Sequence, residues 1–363
     1  MIFNNFFIEL FLTRIFLIIF LNQNLIRDVS ALSVEDICDY KEKQQIYCNC
    51  DNQGVDEARM ATCFILETDG LNRSSPIWNG FKLQKNITSL MLTTRFDKKL
   101  TFLPVVALRE VSDSITTFNV NEMKLGYLDN NSMTNFPKLN RIILESNDIR
   151  GLGASCFAHL PALTSLSLSS NSIEVLKSGV FIDLPKLEEL FLDRNRLKTI
   201  EDNAFSQLKS LRELDLRLND INVITSSTFS GLTALKRLDL SRNQLKSIPS
   251  NAVVGAPLLR ELDLNKNQIE TIDENAFQNM SHLMSVQLNE NKIQYLSTQV
   301  FKGSPNLVFI DLSANLLETI ESKLIIDLKH LKEEQFVFYL RGNYSLILYK
   351  LHYIFNKHMT DMT

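Results

Sequence analysis

The chain has 363 residues, 45% of them hydrophobic and 22% charged, with a formal net charge of −4 and an isoelectric point near 5.8. This balance, without a basic stripe, argues against nucleic-acid binding. No zinc-protease, nucleophile-elbow or phosphate-loop motif occurs, and the five histidines are scattered along the chain. We therefore expect neither an enzyme nor a bound cofactor.

The first 31 residues form an apolar leader. Residues 15–21 supply a hydrophobic core and Val29-Ser30-Ala31 is a small-residue cleavage pattern, so we predict a signal peptide over residues 1–31 and an extracellular location. Glu9 and Arg14 interrupt the apolar run before it reaches the length of a membrane-spanning helix. An uncleaved anchor and a gene-model artefact are the alternatives.

An even cluster of cysteines follows in residues 32–85, which we predict to form a cap over the first repeat. In a chain of the secretory route such a cluster indicates disulfides, and its spacing leaves three connectivities open. A metal site is not expected, because zinc sites use Cys-x-x-Cys pairs or added histidines. Each bridge would contribute about 3 kcal/mol by restricting the unfolded chain. The four cysteines are Cys38, Cys48, Cys50 and Cys63.

A strict 24-residue period dominates the rest of the chain. It has the frame Leu187-x-x-Leu190-x-Leu192-x-x-Asn195-x-Leu197, and weaker copies extend it upstream. A fixed period of this length predicts one supersecondary unit stacked on copies of itself, here about ten repeats over residues 86–330. Eight asparagines mark the period: Asn147, Asn171, Asn195, Asn219, Asn243, Asn267, Asn291 and Asn315.

Each copy of the frame predicts a short strand followed by a turn. Leu190 and Leu192 point inward together because alternate residues of a strand face opposite sides. The asparagine amide can donate and accept, so a column of asparagines can satisfy backbone groups of the turns. An aromatic column is expected to fill the far side of each coil, with Val254 near its one missing place: Phe157, Phe181, Phe205, Phe229, Phe277 and Phe301.

This frame, with its Leu160-Pro161-Ala162-Leu163 join, resembles the typical extracellular leucine-rich repeat family. The resemblance implies an α/β solenoid, a curved horseshoe with parallel strands on its concave face and a disulfide-stapled N-terminal cap. In that family the first cap cysteine pairs with the third and the second with the fourth, which implies Cys38–Cys50 and Cys48–Cys63. Residues 47–51 and 61–64 are similar to the cap of insect connectin-type adhesion proteins and, more distantly, of chaoptin-type proteins. That similarity implies homophilic adhesion, often with a lipid anchor.

The C-terminal end departs from the family pattern. Residues 331–363 hold no second cysteine-rich cap, and no cysteine follows Cys156. We expect a truncated product of a longer form, and the alternative is a tail that folds over the last coil. Cys156 itself stands at a phase where other repeats have small residues, so we predict a buried core residue rather than a reactive thiol.

The concave face is the predicted binding surface. One column places an acidic line along the strands, with basic residues beside it and a few large apolar residues facing outward; Phe191 beside Arg194 and Arg217 is the leading contact candidate. The alternative is an ordinary mixed-charge strand face. The predicted contact residues are Phe191, Arg194, Asp215, Arg217, Leu218, Asp239, Arg242, Asp263, Lys266 and Phe309.

Five N-x-S/T acceptors predict N-glycosylation: Asn72, Asn86, Asn130, Asn279 and Asn343. We expect a cell-adhesion protein whose partner is another protein or a second copy of itself. The alternatives are the ectodomain or soluble form of a signalling or innate-recognition receptor, and a soluble decoy or matrix component. Membrane association is expected only through a longer form or an uncleaved N-terminal segment.

Overall fold

The structure is a computed structural model that describes residues 36–38, 45–52, 57–95, 97–320, 324 and 337–343. The predicted signal peptide and most of the predicted tail lie outside the described residues. No helix in these ranges is long and apolar enough to cross a membrane.

One strand from each coil joins a single 13-stranded sheet. The first two strands are antiparallel to each other, and every later neighbouring pair is parallel. The parallel solenoid that the repeats predict is thereby confirmed. The strands are β1 (Ile46–Cys50), β2 (Met60–Ile65), β3 (Ser89–Thr94), β4 (Thr117–Asn121), β5 (Arg141–Ile143), β6 (Ser165–Ser167), β7 (Glu189–Phe191), β8 (Glu213–Asp215), β9 (Arg237–Asp239), β10 (Glu261–Asp263), β11 (Ser285–Gln287), β12 (Phe309–Asp311) and β13 (Val337–Tyr339).

The other sides of the coils carry only short elements. An α-helix, α1 (Val105–Glu110), and a 3₁₀ helix (Pro76–Leu83) pack against each other near the N-terminal end. Two-residue strands pair between neighbouring coils elsewhere: Tyr127–Leu128 with Gly151–Leu152, Val175–Leu176 with Thr199–Ile200, Ser247–Ile248 with Thr271–Ile272, and Met133–Thr134 with Phe157–Ala158 and Phe181–Ile182.

The asparagine column ties each coil to the one before it. The side-chain nitrogen of Asn171 donates to the carbonyl of Leu168 in its own coil at 2.9 Å and to that of Leu144 in the preceding coil at 2.8 Å. Its side-chain oxygen accepts from the backbone nitrogen of Ile149 at 3.0 Å. The same three contacts recur at every asparagine of the frame from Asn195 to Asn315. Buried backbone groups that would otherwise lack partners are thus satisfied.

The residue before each of these asparagines adopts a left-handed backbone conformation. Residues other than glycine rarely adopt this conformation, yet here it recurs in coil after coil, with φ between 53° (Arg194) and 58° (Ser146). Four of the predicted contact residues therefore sit in turns at the edge of the concave face rather than in the sheet: Arg194, Leu218, Arg242 and Lys266.

The aromatic column fills the interior opposite the sheet. All six phenylalanines are buried, and neighbours stack at centroid distances of 6.0 Å (Phe157–Phe181), 6.4 Å (Phe205–Phe229) and 5.7 Å (Phe277–Phe301). The expectation for the missing place was wrong by one residue. Val253 is buried there, whereas Val254 is 58% exposed.

The N-terminal cap continues the sheet and closes the core. Disulfides join Cys38 to Cys50 and Cys48 to Cys63, the pairing that the family resemblance implies. The indole of Trp78, also in the cap, is fully buried. Since β2 pairs with β3 in parallel, the repeat sheet passes into the cap without a break.

Candidate protein-binding face

An acidic line crosses the middle of the concave face, defined by Asp215, Asp239, Asp263 and Asp311. The first three lie directly opposite one another in β8, β9 and β10, and Phe191 occupies the same column in β7. Neighbouring strands are about 4.8 Å apart, so like charges are held close together along the line.

Each carboxylate of the acidic line has a structural role that the sequence did not reveal. One oxygen accepts a hydrogen bond from the backbone nitrogen two residues later, at distances between 2.8 and 3.0 Å. This local bond closes the turn after the strand, as Asp side chains commonly do. The second oxygen is left for other contacts. The frequent Leu-Asp-Leu of these repeats therefore serves the fold as well as the surface.

Asp215 is the most enclosed member of the line, only 9% exposed. Burial is the main cause that raises the pKa of Asp215 to about 6; the nearby charges of Asp239 and Asp193 act in the same direction, whereas a hydrogen bond and charge from Arg217 oppose them. Burial is also the main reason that the pKa of Asp263 is raised. The line is thus poorly solvated where its charges are closest together.

The predicted basic residues have different partners. Arg217 lies over the line, with its Nε 3.2 Å from a carboxylate oxygen of Asp215 and 4.0 Å from one of Asp193. Arg194 reaches Asp193 at 3.9 Å. Lys266 instead pairs with Glu290 at 3.2 Å. For Arg242, an exposed residue, the described residues offer no carboxylate within 4.0 Å.

Asp193 was not among the sequence candidates, although it belongs to the same site. It is 4% exposed, and the hydroxyl of Ser169 donates to it. The strand alternation places Asp193 on the outward side, and its position two residues after Phe191 was the available signal.

The apolar candidates do not form one patch. Phe191 is half-buried in β7, opposite Asp215, and Leu218 is 36% exposed in the turn after β8. Phe309 is half-buried in β12 but belongs to another column, opposite Ser285. The structure therefore places Phe191 in the column of the acidic line, whereas Phe309 lies in the neighbouring column, two residues before Asp311.

A groove of about 330 Å³ runs along the middle of the face. Six carboxylate side chains line the groove, but only two guanidinium groups do, those of Arg217 and Arg237. Arg237 pairs with Glu213. Such a groove disfavours phosphate backbones and suits cationic groups. Its lining residues are Phe191, Asp193, Glu213, Leu214, Asp215, Arg217, Arg237, Leu238, Asp239, Glu261, Asp263 and Gln287.

The sequons differ in accessibility. Asn72, Asn130 and Asn279 are exposed or half-buried, as is Asn86. Asn343 belongs to the asparagine column: its side-chain nitrogen donates to the carbonyls of Leu312 and Leu340, both at 2.9 Å. A glycan would replace one of the two hydrogens on that nitrogen, so the side chain could keep at most one of these two bonds, and the acceptor at Asn343 stays a prediction that would disturb the column.

Reactive and metal-binding groups are sparse in the described residues. No cluster of three or more His, Cys, Asp or Glu side chains there could hold a metal ion. Cys156 is buried and its pKa is raised to about 12 by burial, as expected of a core thiol.

Two family models match the repeats. A leucine-rich repeat model covers residues 113–173 and 161–221, and a BspA-type leucine-rich repeat region model covers residues 198–332. Connectin from Drosophila melanogaster is 30% identical to this chain over 120 residues. That segment is 32% of this chain and 17% of connectin.

Solved structures share the fold at low sequence identity. The TLR13 structure with ssRNA13 matches with a TM-score of 0.63 and 23% identity, over 74% of this chain and 38% of that chain. The Toll–Spatzle complex, described as a hub in Drosophila development and innate immunity, matches with a TM-score of 0.58 and 18% identity. That match covers 86% of this chain and 48% of the other. An octameric complex of Latrophilin 3, Unc5D and FLRT2 matches with a TM-score of 0.52 and 21% identity. That match covers 81% of this chain and 91% of the other.

The sequence and structural matches agree with the geometry. The matched ranges run from residue 113 to residue 332, more than half of the chain, and the asparagine column and parallel sheet occupy the same stretch. The chain belongs to the leucine-rich repeat family.

Proposed function

We propose that this chain is an extracellular protein-binding leucine-rich repeat protein that acts in cell adhesion through its concave face. The observation that carries the proposal is the groove, where half-buried Phe191 adjoins partly desolvated carboxylates and an arginine. Aromatic groups flanked by charge are common at the energetic centres of protein interfaces. The likeness to connectin supports adhesion, and two disulfides suit an oxidising compartment.

The same proposal divides the chain into a signal peptide (1–31), a cap (32–85), repeats (86–330) and a degenerate tail (331–363). Its partner is a protein or a second copy of the chain. Carboxylates outnumber guanidinium groups in the groove, which makes RNA an unsuitable occupant even though TLR13 was solved with ssRNA. Repeats of this kind bind rather than catalyse, and we propose no enzymatic activity.

A second candidate is the ectodomain or soluble form of a signalling or innate-recognition receptor. The structural likeness to Toll and TLR13 favours it, over more of this chain than the connectin match covers. A cell assay separates the two. The full chain, fused to a heterologous membrane anchor, is displayed on two differently coloured populations of non-adherent cells.

Adhesion between copies predicts mixed-colour clumps that are absent from cells without the chain. Well-folded, displayed protein without clumps would remove homophilic adhesion and leave the receptor role. In either case Phe191→Ala combined with Asp239→Lys should weaken binding to the partner while secretion stays normal, and unchanged binding would exclude this part of the face.

A further inference from the structure

The groove has carboxylates that its own basic residues do not neutralise. Arg217 is paired with Asp215, and Arg237 with Glu213. Asp239 and Asp263 have no basic nitrogen within 4.0 Å among the residues that the structure describes. Each is only partly exposed, so solvent compensates these charges incompletely.

The free oxygens of these two residues are oriented by the fold. One oxygen of Asp239 accepts from the backbone nitrogen of Ser241 at 2.8 Å, and one oxygen of Asp263 accepts from that of Asn265 at 2.9 Å. The second oxygen of each makes no hydrogen bond within the described chain. Since β9 and β10 are neighbours with Asp239 opposite Asp263, the two free oxygens form a pre-arranged pair of acceptors.

An apolar wall stands further along the same column. Phe191 lies opposite Asp215, which lies opposite Asp239. At about 4.8 Å per strand, the ring is about 12 Å from the point between Asp239 and Asp263. An extended chain rises about 3.4 Å per residue, so side chains four positions apart on one of its faces span this distance.

We propose that the groove binds an extended segment of a protein partner that carries an arginine and, four positions away, an apolar side chain. The guanidinium donates to Asp239 and Asp263, and the apolar group packs on Phe191. Arginine suits the place because its planar fork can donate to two carboxylates at once. This inference rests on the proposed function only in treating the concave face as the partner-binding surface.

The test uses the full secreted chain and a labelled peptide in which three serines separate an arginine from a leucine. Binding is followed by thermophoresis at low salt. Asp263→Asn keeps the acceptor for Asn265 and removes one charge, and Glu270→Gln removes one charge at an exposed residue outside the groove. Loss of a charge-assisted hydrogen bond corresponds to roughly a tenfold change in affinity.

We expect Asp263→Asn and Phe191→Ala each to weaken binding about tenfold, and Glu270→Gln to leave it unchanged. A peptide with glutamate in place of arginine should not bind. Equal binding of the peptide by wild type and Asp263→Asn would overturn the proposal, and so would an equal loss in Glu270→Gln. Circular dichroism melts check that each variant is folded.

The outcome is separable from that of the cell assay. Absence of peptide binding by the wild-type chain, with cell clumping intact, would refute the groove as an arginine site and leave adhesion standing. Peptide binding that depends on Asp263, without clumping or receptor binding on cells, would refute adhesion and leave the groove standing.

Discussion

Replacement of one asparagine of the column, Asn243→Ala, is the most informative perturbation of the fold. The side-chain nitrogen of Asn243 donates to the carbonyls of Leu216 at 2.9 Å and Leu240 at 3.0 Å, and its oxygen accepts from the backbone nitrogen of Ile221 at 3.0 Å. The two carbonyls keep a second donor each, from Asn219 and Asn267. Within the described residues, the nitrogen of Ile221 has no other partner.

The magnitude follows from this difference. One orphaned buried donor costs about 1–3 kcal/mol, and each carbonyl that falls back to a single donor loses about 0.5 kcal/mol or more. We expect Asn243→Ala to lower the free energy of unfolding by about 3 kcal/mol. Asn243→Asp should cost more although it keeps the acceptor for Ile221, because it buries an unpaired carboxylate against the two carbonyl oxygens.

Urea unfolding followed by circular dichroism measures the effect, with Gln244→Ala as the matched control. Gln244 is the exposed neighbour of Asn243 and donates to Asp220 at 2.6 Å, so its loss should cost less than about 1 kcal/mol. Slopes of the transitions must agree between variants, because repeat arrays can lose two-state behaviour. Equal stability of Asn243→Ala and Gln244→Ala would mean that the hydrogen bonds of Asn243 contribute little to folding.

Two further predictions concern titratable groups. The folded pKa of Asp215 is raised from 3.8 to about 6, so the charged carboxylate costs about 3 kcal/mol at neutral pH, and this cost is relieved as the pH falls through 6 toward 4. Asp215→Asn should therefore raise the free energy of unfolding at about pH 7.5, by up to that amount, and the gain should shrink toward pH 4; thermal melts across this range test it, and a gain that grows with acidity would contradict it. Cys156, with its pKa raised to about 12, should react with a thiol reagent at about pH 8 only in denaturant, and one reactive thiol in the native protein would contradict its burial.

The 24-residue period was enough to predict the features that arise from the stacking of identical coils. A 24-residue repeat places Leu190 and Asn195 at the same point of every coil, so the strand register and the asparagine column follow from it. At the missing aromatic place the strict period also points to Val253, whereas the choice of Val254 departed from it.

The hydrogen-bond and ion-pair partners of individual side chains could not be predicted from the period. The sequence does not say that an aspartate of the acidic line closes its own turn, or that Arg217 lies over Asp215. It also does not distinguish a surface sequon from a position in the asparagine column, as at Asn343. These depend on side-chain directions in the turns, where the left-handed residue before each asparagine redirects the chain.

The substitution Asp239→Asn shows whether the concave face is the binding surface. The change creates an N-x-S acceptor in the middle of the face, because position 239 is followed by Leu240 and Ser241. The new side-chain oxygen can still accept from the backbone nitrogen of Ser241. The double variant with Ser241→Ala carries the same loss of charge without a glycan. Removal of the glycan by a glycosidase, seen as a shift in gel mobility, verifies its attachment.

The measurement is binding of the full chain to partner cells, starting with cells that display the chain itself. We predict that a glycan at position 239 abolishes binding, whereas the double variant with Ser241→Ala, which loses only the charge, binds about tenfold more weakly than the wild type. Undiminished binding by the glycosylated, folded protein would place the contact on another surface of the molecule.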